Sequence, residues 1–294
     1  MTSIALASVP VGPVKLSPEE AAAVTAALLK ARAESEESLR SGATSYLATV
    51  ARKDFGDRTT LTVGRADDND VRLDAAGVQP HHLRVIIAGD RFRLEAVDPE
   101  ARVLVDGKEV RTAEVDPSYV TVDRFLLRLS HQRFPAIIVF DPHSPRFKDY
   151  KGLRFFPIDL RYRFELALTA AESPKPVVIM STLGHQRRAL RVGWFEFLVD
   201  GTPCRLEATR LLEPGVGEND VMILFRDTTS GKESYPLGRY VDVKHLPDGR
   251  YLLDFNTAYN PACAFSDHYN CPIPPKGNTL PAAIRAGEMD SHYH

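Results

Sequence analysis

The hydrophobic period changes twice along this chain. Over residues 18 to 41 small and apolar residues recur at helical spacing. Ser17 stands before Pro18, Glu19 and Glu20, which supplies an N-cap, a first-turn proline and two carboxylates suited to the positive end of a helix. An alanine-rich run then continues to Leu39, and Gly42 stops it. Val24, Leu28 and Ala31 share one face, which predicts a helix packed on the body of the protein. From about Tyr46 the period becomes two, and short Val, Leu, Ile and Phe runs between Asp, Gly and Pro turns predict an all-β segment to about Phe140. Asp141-Pro142-His143-Ser144-Pro145-Arg146 reads as a linker. Seven further runs follow: Phe164 to Leu168, Val177 to Met180, Phe195 to Val199, Cys204 to Ala208, Val221 to Phe225, Tyr240 to Val243 and Tyr251 to Phe255. With turn pairs such as Asp200-Gly201 and Asp248-Gly249, they predict an antiparallel meander that forms a β-barrel or a sandwich.

The C-terminal stretch obeys neither period. From Asp254 to Glu288 it is rich in Asn, Cys and Pro, and it predicts a long irregular loop of defined shape, the kind of segment that carries function. The expected fold is mainly β: a tail and helix over 1–43, a β-sandwich over 44–140, and a β-barrel-like domain with a Cys/Pro-rich loop over 141–294.

Composition excludes more than it selects. Apolar content of 44% and charged content of 26% are ordinary, and a net charge of −2 gives no general electrostatic reason to bind nucleic acid or anionic lipid. The first residues lack a basic leader, Pro10 and Pro13 interrupt their apolar run, and no window approaches the roughly 20 apolar residues of a membrane span. The expectation is a cytoplasmic protein with no nucleic-acid and no membrane partner. Three cysteines fit a reducing compartment better than a disulfide framework.

Within the first β segment, Thr62-Val63-Gly64-Arg65 is followed by the acidic turn Asp67-Asp68-Asn69-Asp70, then Gln79-Pro80-His81-His82, then Val105-Asp106-Gly107. This order resembles the forkhead-associated β-sandwich over roughly residues 46 to 130. In that family phosphothreonine is held by the arginine of Gly-Arg, the serine of Ser-x-x-His and an Asn-Gly-Thr loop. Arg65 matches the first, but Gln79 replaces the serine, and Arg102-Val103-Leu104 stands where the Asn-Gly-Thr loop belongs. One arginine does not offset the desolvation of a phosphate. The resemblance therefore implies a sandwich able to bind a protein partner without phosphothreonine recognition. His82 reads as the buried histidine of the fold, and His81 points to the opposite face.

A second set of motifs spans Ser144-Pro145, Gly152-Leu153, Phe156-Pro157-Ile158-Asp159, Tyr162-Arg163, Asp227-Thr228-Thr229-Ser230-Gly231 and Gly238-Arg239-Tyr240. It closes with Asp254-Phe255-Asn256, Ala258-Tyr259-Asn260-Pro261, Cys271-Pro272 and Ala286-Gly287-Glu288. This set resembles domain-of-unknown-function family 1684, an uncharacterised bacterial family from which no activity carries over. Two departures stand out. Pro236 replaces the glycine usual after the tyrosine, and Gly277 replaces the glutamate usual before Asn278.

The candidate chemistry lies in the C-terminal half. Asp227, Ser230 and Glu233 sit in a hydroxyl-rich turn that reads either as the polar rim of a small-ligand site or as a tight hairpin. Arg239 can clamp a carboxylate or phosphate, or can pair internally with Asp227, Asp242 or Asp254. Asp254 and Asn256 alternate around Phe255 and so share a strand face, with Tyr259 and Asn260 turning off its end. If a pocket for a small polar ligand exists, it is expected in a barrel mouth among Asp227, Arg239, Asp254, Asn256, Tyr259 and Glu288. The cysteine loop leaves three readings open. Cys263, His268 and Cys271 can hold zinc with Asp267, His292 or His294 as a fourth ligand. Alternatively, Cys263 can act as a nucleophile with His268 or His245 as base, or the thiols can pack as small apolar groups while Asn256, Asn260 and Asn278 bond the loop backbone. The residues locate a site and suggest a family without naming a reaction.

Overall fold

A computed structural model of the chain describes residues 11–131, 134–212 and 216–293. The chain forms two compact units: Glu37–Lys151, and Gly152–His294 together with the N-terminal segment through Glu36. Helix α1 (Pro18–Ser41) opens with a reciprocal capping box, in which the Glu20 amide donates to Ser17 Oγ at 3.3 Å and the Ser17 amide donates to Glu20 Oε2 at 2.8 Å. Its buried stripe differs from the apolar one expected. Leu28 is buried but Ala31 is exposed, and the face is completed by Arg32, which donates to the Phe156 carbonyl, and Glu36, which accepts from the Leu153 amide. Polar anchors replace apolar contacts there, which is why the sequence pattern missed them. Among the described residues no helix is long and apolar enough to cross a membrane.

The unit Glu37–Lys151 contains β1 (Thr49–Asp54), β2 (Thr60–Gly64), β3 (Val71–Arg72), β4 (Leu83–Ala88), β5 (Arg91–Ala96), β6 (Val103–Val105), β7 (Lys108–Val110), β8 (Thr112–Val115), β9 (Tyr119–Val122), β10 (Phe125–Ser130) and β11 (Ala136–Phe140). They form two sheets, in the orders β1-β11-β10-β9-β6-β7 and β3-β2-β4-β5-β8. Alternation sorts the side chains: in β5 Phe92 and Leu94 turn inward while Arg91 and Arg93 face out. Both sheets contribute to one core, with Leu61, Val85, Phe92, Val120, Leu127 and Val139 essentially inaccessible.

The C-terminal unit holds β12 (Arg163–Leu166), β13 (Thr169–Met180), β14 (Gln186–Val199), β15 (Thr202–Leu211), β16 (Met222–Phe225), β17 (Arg239–Asp242), β18 (Lys244–His245) and β19 (Tyr251–Asp254). A five-stranded sheet runs β13-β14-β15-β16-β17 and a three-stranded sheet runs β12-β19-β18, so of the two architectures expected, barrel or sandwich, the domain forms the sandwich. Closure fails for two reasons. The chain leaves β17 after four residues and crosses into β18 of the other sheet, and β13 at the opposite edge carries Pro174 and Pro176, which have no amide to offer a further strand. The space between the sheets is filled by aromatic side chains. Phe164 packs on Phe197 at 5.0 Å and Phe225 on Phe255 at 5.1 Å. Trp194, on β14, lies beneath the guanidinium of Arg205 at 4.4 Å and beside that of Arg191 at 5.3 Å.

Candidate functional site

The polar residues of the C-terminal unit assemble around one buried guanidinium. Gly238 has φ +99°, and a Cβ there would meet the Phe225 carbonyl at 2.5 Å. The turn it permits aims Arg239 inward, where the residue is 1% exposed. Its Nη2 donates to Asp227 Oδ2 at 3.2 Å and to the Ile284 carbonyl at 2.8 Å, and its Nη1 donates to the carbonyls of Ala286 at 2.5 Å and Glu288 at 3.0 Å. Phe156 and Phe225 face its charge at 5.5 and 5.2 Å. Burial pushes the guanidinium below its usual range, and Asp227 and Glu288 oppose that shift. The Asp227 carboxylate is equally committed: it accepts from Thr229 N and Oγ1, from Ser230 Oγ and from the Ile284 amide. Arg239 and Asp227 together hold residues 284–288 against the sandwich. Ser230 belongs to the turn that caps Asp227, and Glu233 lies outside it in a two-bond pair with Arg285, which lowers the Glu233 pKa.

Asp254 does not share an open strand face with Asn256. β19 ends at Asp254, whose Oδ1 accepts from both the amide and the Nδ2 of Asn256 in the turn that follows, and whose Oδ2 takes Arg163 Nη1 at 2.5 Å. Asn256 in turn clamps the Asp159 backbone, accepting from its amide and donating to its carbonyl at 2.9 Å each. Tyr259 pairs by its backbone with Tyr240, and its hydroxyl reaches Asp242 at 3.3 Å.

Next to it, Gly287, with φ +77° and a backbone too close to Ala258 and Phe255 for any Cβ, turns Glu288 into the interior. Glu288 Oε2 accepts the Asn260 amide at 2.9 Å. Burial raises the carboxyl to about 7, against the Asn260 amide and the charges of Arg239 and Arg32, which favour the ionised form. Asn260 Nδ2 donates to the Met289 carbonyl, while its Oδ1 is buried without a partner, and so are Nε and Nη2 of Arg32. Arg32 was not among the site residues read from the sequence. The signal was there, however: a charge four residues beyond Leu28, on the buried face of α1.

The two loop cysteines lie together. The Cys263 amide donates to Cys271 Sγ at 3.2 Å, the Tyr235 hydroxyl lies 3.8 Å from Cys263 Sγ, and the Cys271 amide donates to Thr182 Oγ1 at 3.1 Å. Hydrogen bonding from the Cys271 thiol lowers the Cys263 pKa, with Tyr235 and Thr182 adding to the effect and burial opposing it, while the same contact and burial push Cys271 up. Among the described residues no three His, Cys, Asp or Glu converge as metal ligands, so Cys263, His268 and Cys271 form no zinc set there, and His294 lies outside the described residues.

Asn278 is placed away from both groups. Its Oδ1 accepts the Glu207 amide at 2.7 Å and its Nδ2 donates to the carbonyls of Glu207 and Leu224, so it joins β15 to β16 where those strands share one backbone pairing. A Cβ on Gly277 would lie 2.8 Å from Glu207 Oε1: the room for a residue-277 side chain is occupied by the Glu207 carboxylate. Pro236 is exposed beside buried Tyr235. A cleft of about 260 Å³ opens elsewhere, between Leu211, Val221 and Val243 with Asp220 and Asp242 among its walls, and none of the sequence-predicted site residues lines it.

Sandwich and site together define a two-part β protein. Residues 61–120 match the FHA domain and residues 148–289 match the family described as protein of unknown function (DUF1684). The chain belongs to that family, with an FHA domain ahead of the family region. Among solved structures it is similar to an uncharacterized protein from gene locus rrnAC0354 of Haloarcula marismortui, with 37% identity over 52% of this chain and 85% of the other and a TM-score of 0.42. It is also similar to Mycobacterium tuberculosis EmbR in complex with a low-affinity phosphopeptide, with 17% identity over 43% of this chain and 32% of the other and a TM-score of 0.23. A third is Rad53 1–466 in complex with AMP-PNP, with 10% identity over 52% and 36% and a TM-score of 0.21. No curated protein matches the chain.

Proposed function

We propose that the chain is an interaction protein whose FHA domain docks a protein segment through its loops without requiring phosphothreonine. The observation that carries this is a loop surface held rigidly that keeps only Arg65 of the three phosphate-binding elements of the family. His82, fully buried, accepts the Gln79 amide on Nδ1 and pairs through Nε2 with the Arg102 carbonyl. Arg111 gathers four carbonyls of the neighbouring loop, those of Ala96, Asp98, Pro99 and Ala101. Rigid loops lower the entropy lost on binding. Arg65 turns its Nε onto the Val78 carbonyl, Asp67, paired with Arg72 at 3.0 Å, and Asp68 stand exposed in the turn that follows it, and Val97 presents an exposed apolar side chain. Exposed carboxylates repel a phosphate and tolerate a neutral or basic segment. The test is affinity capture on the full chain beside Val97→Asp and Arg65→Glu variants, with and without phosphatase treatment of the partner pool. Partners lost in the variants but indifferent to phosphatase support the reading. Loss on phosphatase treatment, or capture that ignores the loop variants, refutes it. A cytoplasmic location belongs to the same reading and is supported by the three unpaired thiols.

A second reading, a small polar ligand in the C-terminal unit, is favoured by the unpartnered Nε and Nη2 of Arg32 and Oδ1 of Asn260. An arginine's Nε and Nη2 form the fork that takes a carboxylate or phosphate side-on. A thermal-shift series of small carboxylates and phosphate esters tests it, with Arg32→Met as control. Equal shifts in both proteins refute the site.

A further inference from the structure

We propose that Cys263 and Cys271 form a reversible dithiol–disulfide site, in which Cys263 reacts with a small hydroperoxide and Cys271 resolves the product. Three observations carry it. The loop folds Cys271 back onto Cys263, so that the Cys271 sulfur accepts the Cys263 amide at 3.2 Å. An S–S bond of about 2.05 Å therefore asks for side-chain rotation rather than a new chain path. The Cys263 sulfur is faced by the Tyr235 hydroxyl at 3.8 Å, and with its pKa lowered while that of Cys271 is raised it is the more nucleophilic of the two thiols. Finally, Cys263 and Cys271 are 6% and 8% exposed, too buried for the thiol of a folded protein to reach, so the oxidant the site takes is a small one.

The step balances within the site and its oxidant. The Cys263 thiolate attacks one peroxide oxygen and the O–O bond breaks. The departing oxygen takes up the proton that Cys263 had released, leaving as water or alcohol with Cys263 as the sulfenic acid. Cys271 then loses its proton and attacks the Cys263 sulfur. The S–S bond forms as the S–O bond breaks, and hydroxide takes that proton and leaves as water. Two thiols are oxidised by two electrons and one hydroperoxide is reduced. The resulting bridge closes the segment between residues 263 and 271, which also touches the β13–β14 turn through Thr182. The third cysteine, Cys204, is an internal control: it is buried on β15, and burial raises its pKa.

The experiment treats the full chain with hydrogen peroxide, alkylates it under denaturing conditions and maps the thiols by mass spectrometry. The expected result is a peptide pair joined through Cys263 and Cys271, reversed by dithiothreitol, with Cys204 still free. Cys271→Ser should stop at a sulfenic acid on Cys263 that dimedone traps, and Cys263→Ser should leave no fast-reacting thiol. Should either variant fail to fold, competitive alkylation of the native wild type decides: Cys263 should react roughly tenfold or more faster than Cys204. Equal rates, a disulfide that includes Cys204, or a bound metal ion that protects both loop thiols from peroxide would each overturn the proposal.

Discussion

Glu288 makes the C-terminal unit a pH-dependent structure, and the size of the effect follows from its surroundings. The carboxyl is raised from 4.5 to about 7 chiefly because burial penalises its charge. In the unfolded chain it ionises near 4.5, so between that pH and about 7 the folded state holds a proton that the unfolded state has released. Stability from this group is therefore complete below about 4.5 and is lost as pH rises through about 7. At 1.36 kcal/mol per pKa unit the difference amounts to about 3 kcal/mol. Glu288→Gln keeps an oxygen for the Asn260 amide and cannot ionise. Trp194 is the only tryptophan and lies on β14, so its fluorescence in urea reports this unit alone. Between pH 4.5 and 8 the wild type should lose about 3 kcal/mol more than the Glu288→Gln protein. Parallel profiles for the two proteins would mean that Glu288 is ionised throughout, and the argument from burial would be wrong.

Other consequences are open to direct measurement. Arg239→Met leaves the Asp227 carboxylate buried without its cation and should destabilise the unit by about 3–5 kcal/mol, read from the same urea transitions, and Asp227→Asn added to it should recover part of the loss. Asn278→Ala should cost about 1–3 kcal/mol, and Asn278→Asp should cost at least as much, because the lost Nδ2 donor serves two carbonyls. If Asn278→Asp proves neutral, the bridge between β15 and β16 is not what Asn278 supplies. His82 has its pKa lowered by burial, so it takes up a proton less readily in the folded FHA domain than in the unfolded chain, where it charges near 6.5. Its contribution is present above that pH and is lost as pH falls through the lower folded value, so exchange of the amides of residues 97–103, corrected for intrinsic rates, should quicken on acidification from pH 7.5 to 5 and not in His82→Gln. Equal exchange in the two proteins would remove His82 as the anchor of that loop.

The grouping of the C-terminal polar residues was legible in the sequence, and so were the two uses it allows, a ligand rim and an internal network. Asp227, Arg239, Asp254, Asn256, Asn260 and Glu288 do gather in the C-terminal unit, but mostly as donors and acceptors for one another and for loop carbonyls. A polar residue looks the same in a sequence whether it faces a ligand or an internal carbonyl; only the count of satisfied bonds separates the two. Arg163 and Asp159 completed the network from segments about ninety residues distant from Asp254 and Asn256 in the chain, and Arg32 reached its carbonyl partner across an even longer separation.

By itself the sequence determined the local things. The capping box of α1, the switch from helical to two-residue period, the two β-rich halves, and the missing phosphate ligands at Gln79 and Arg102-Val103 are set by residues near one another in the chain, where spacing and backbone preference act directly. Tertiary structure decided the rest. The second domain is a sandwich because β17 crosses to the other sheet, the Asp227–Arg239 pair is a latch because residues 284–288 return to cover it, and Cys263 meets Cys271 because the loop folds back on itself. Each of these depends on which surfaces are buried against which, and burial alone turns the same carboxylates, guanidinium and thiols into groups with altered charge and reactivity.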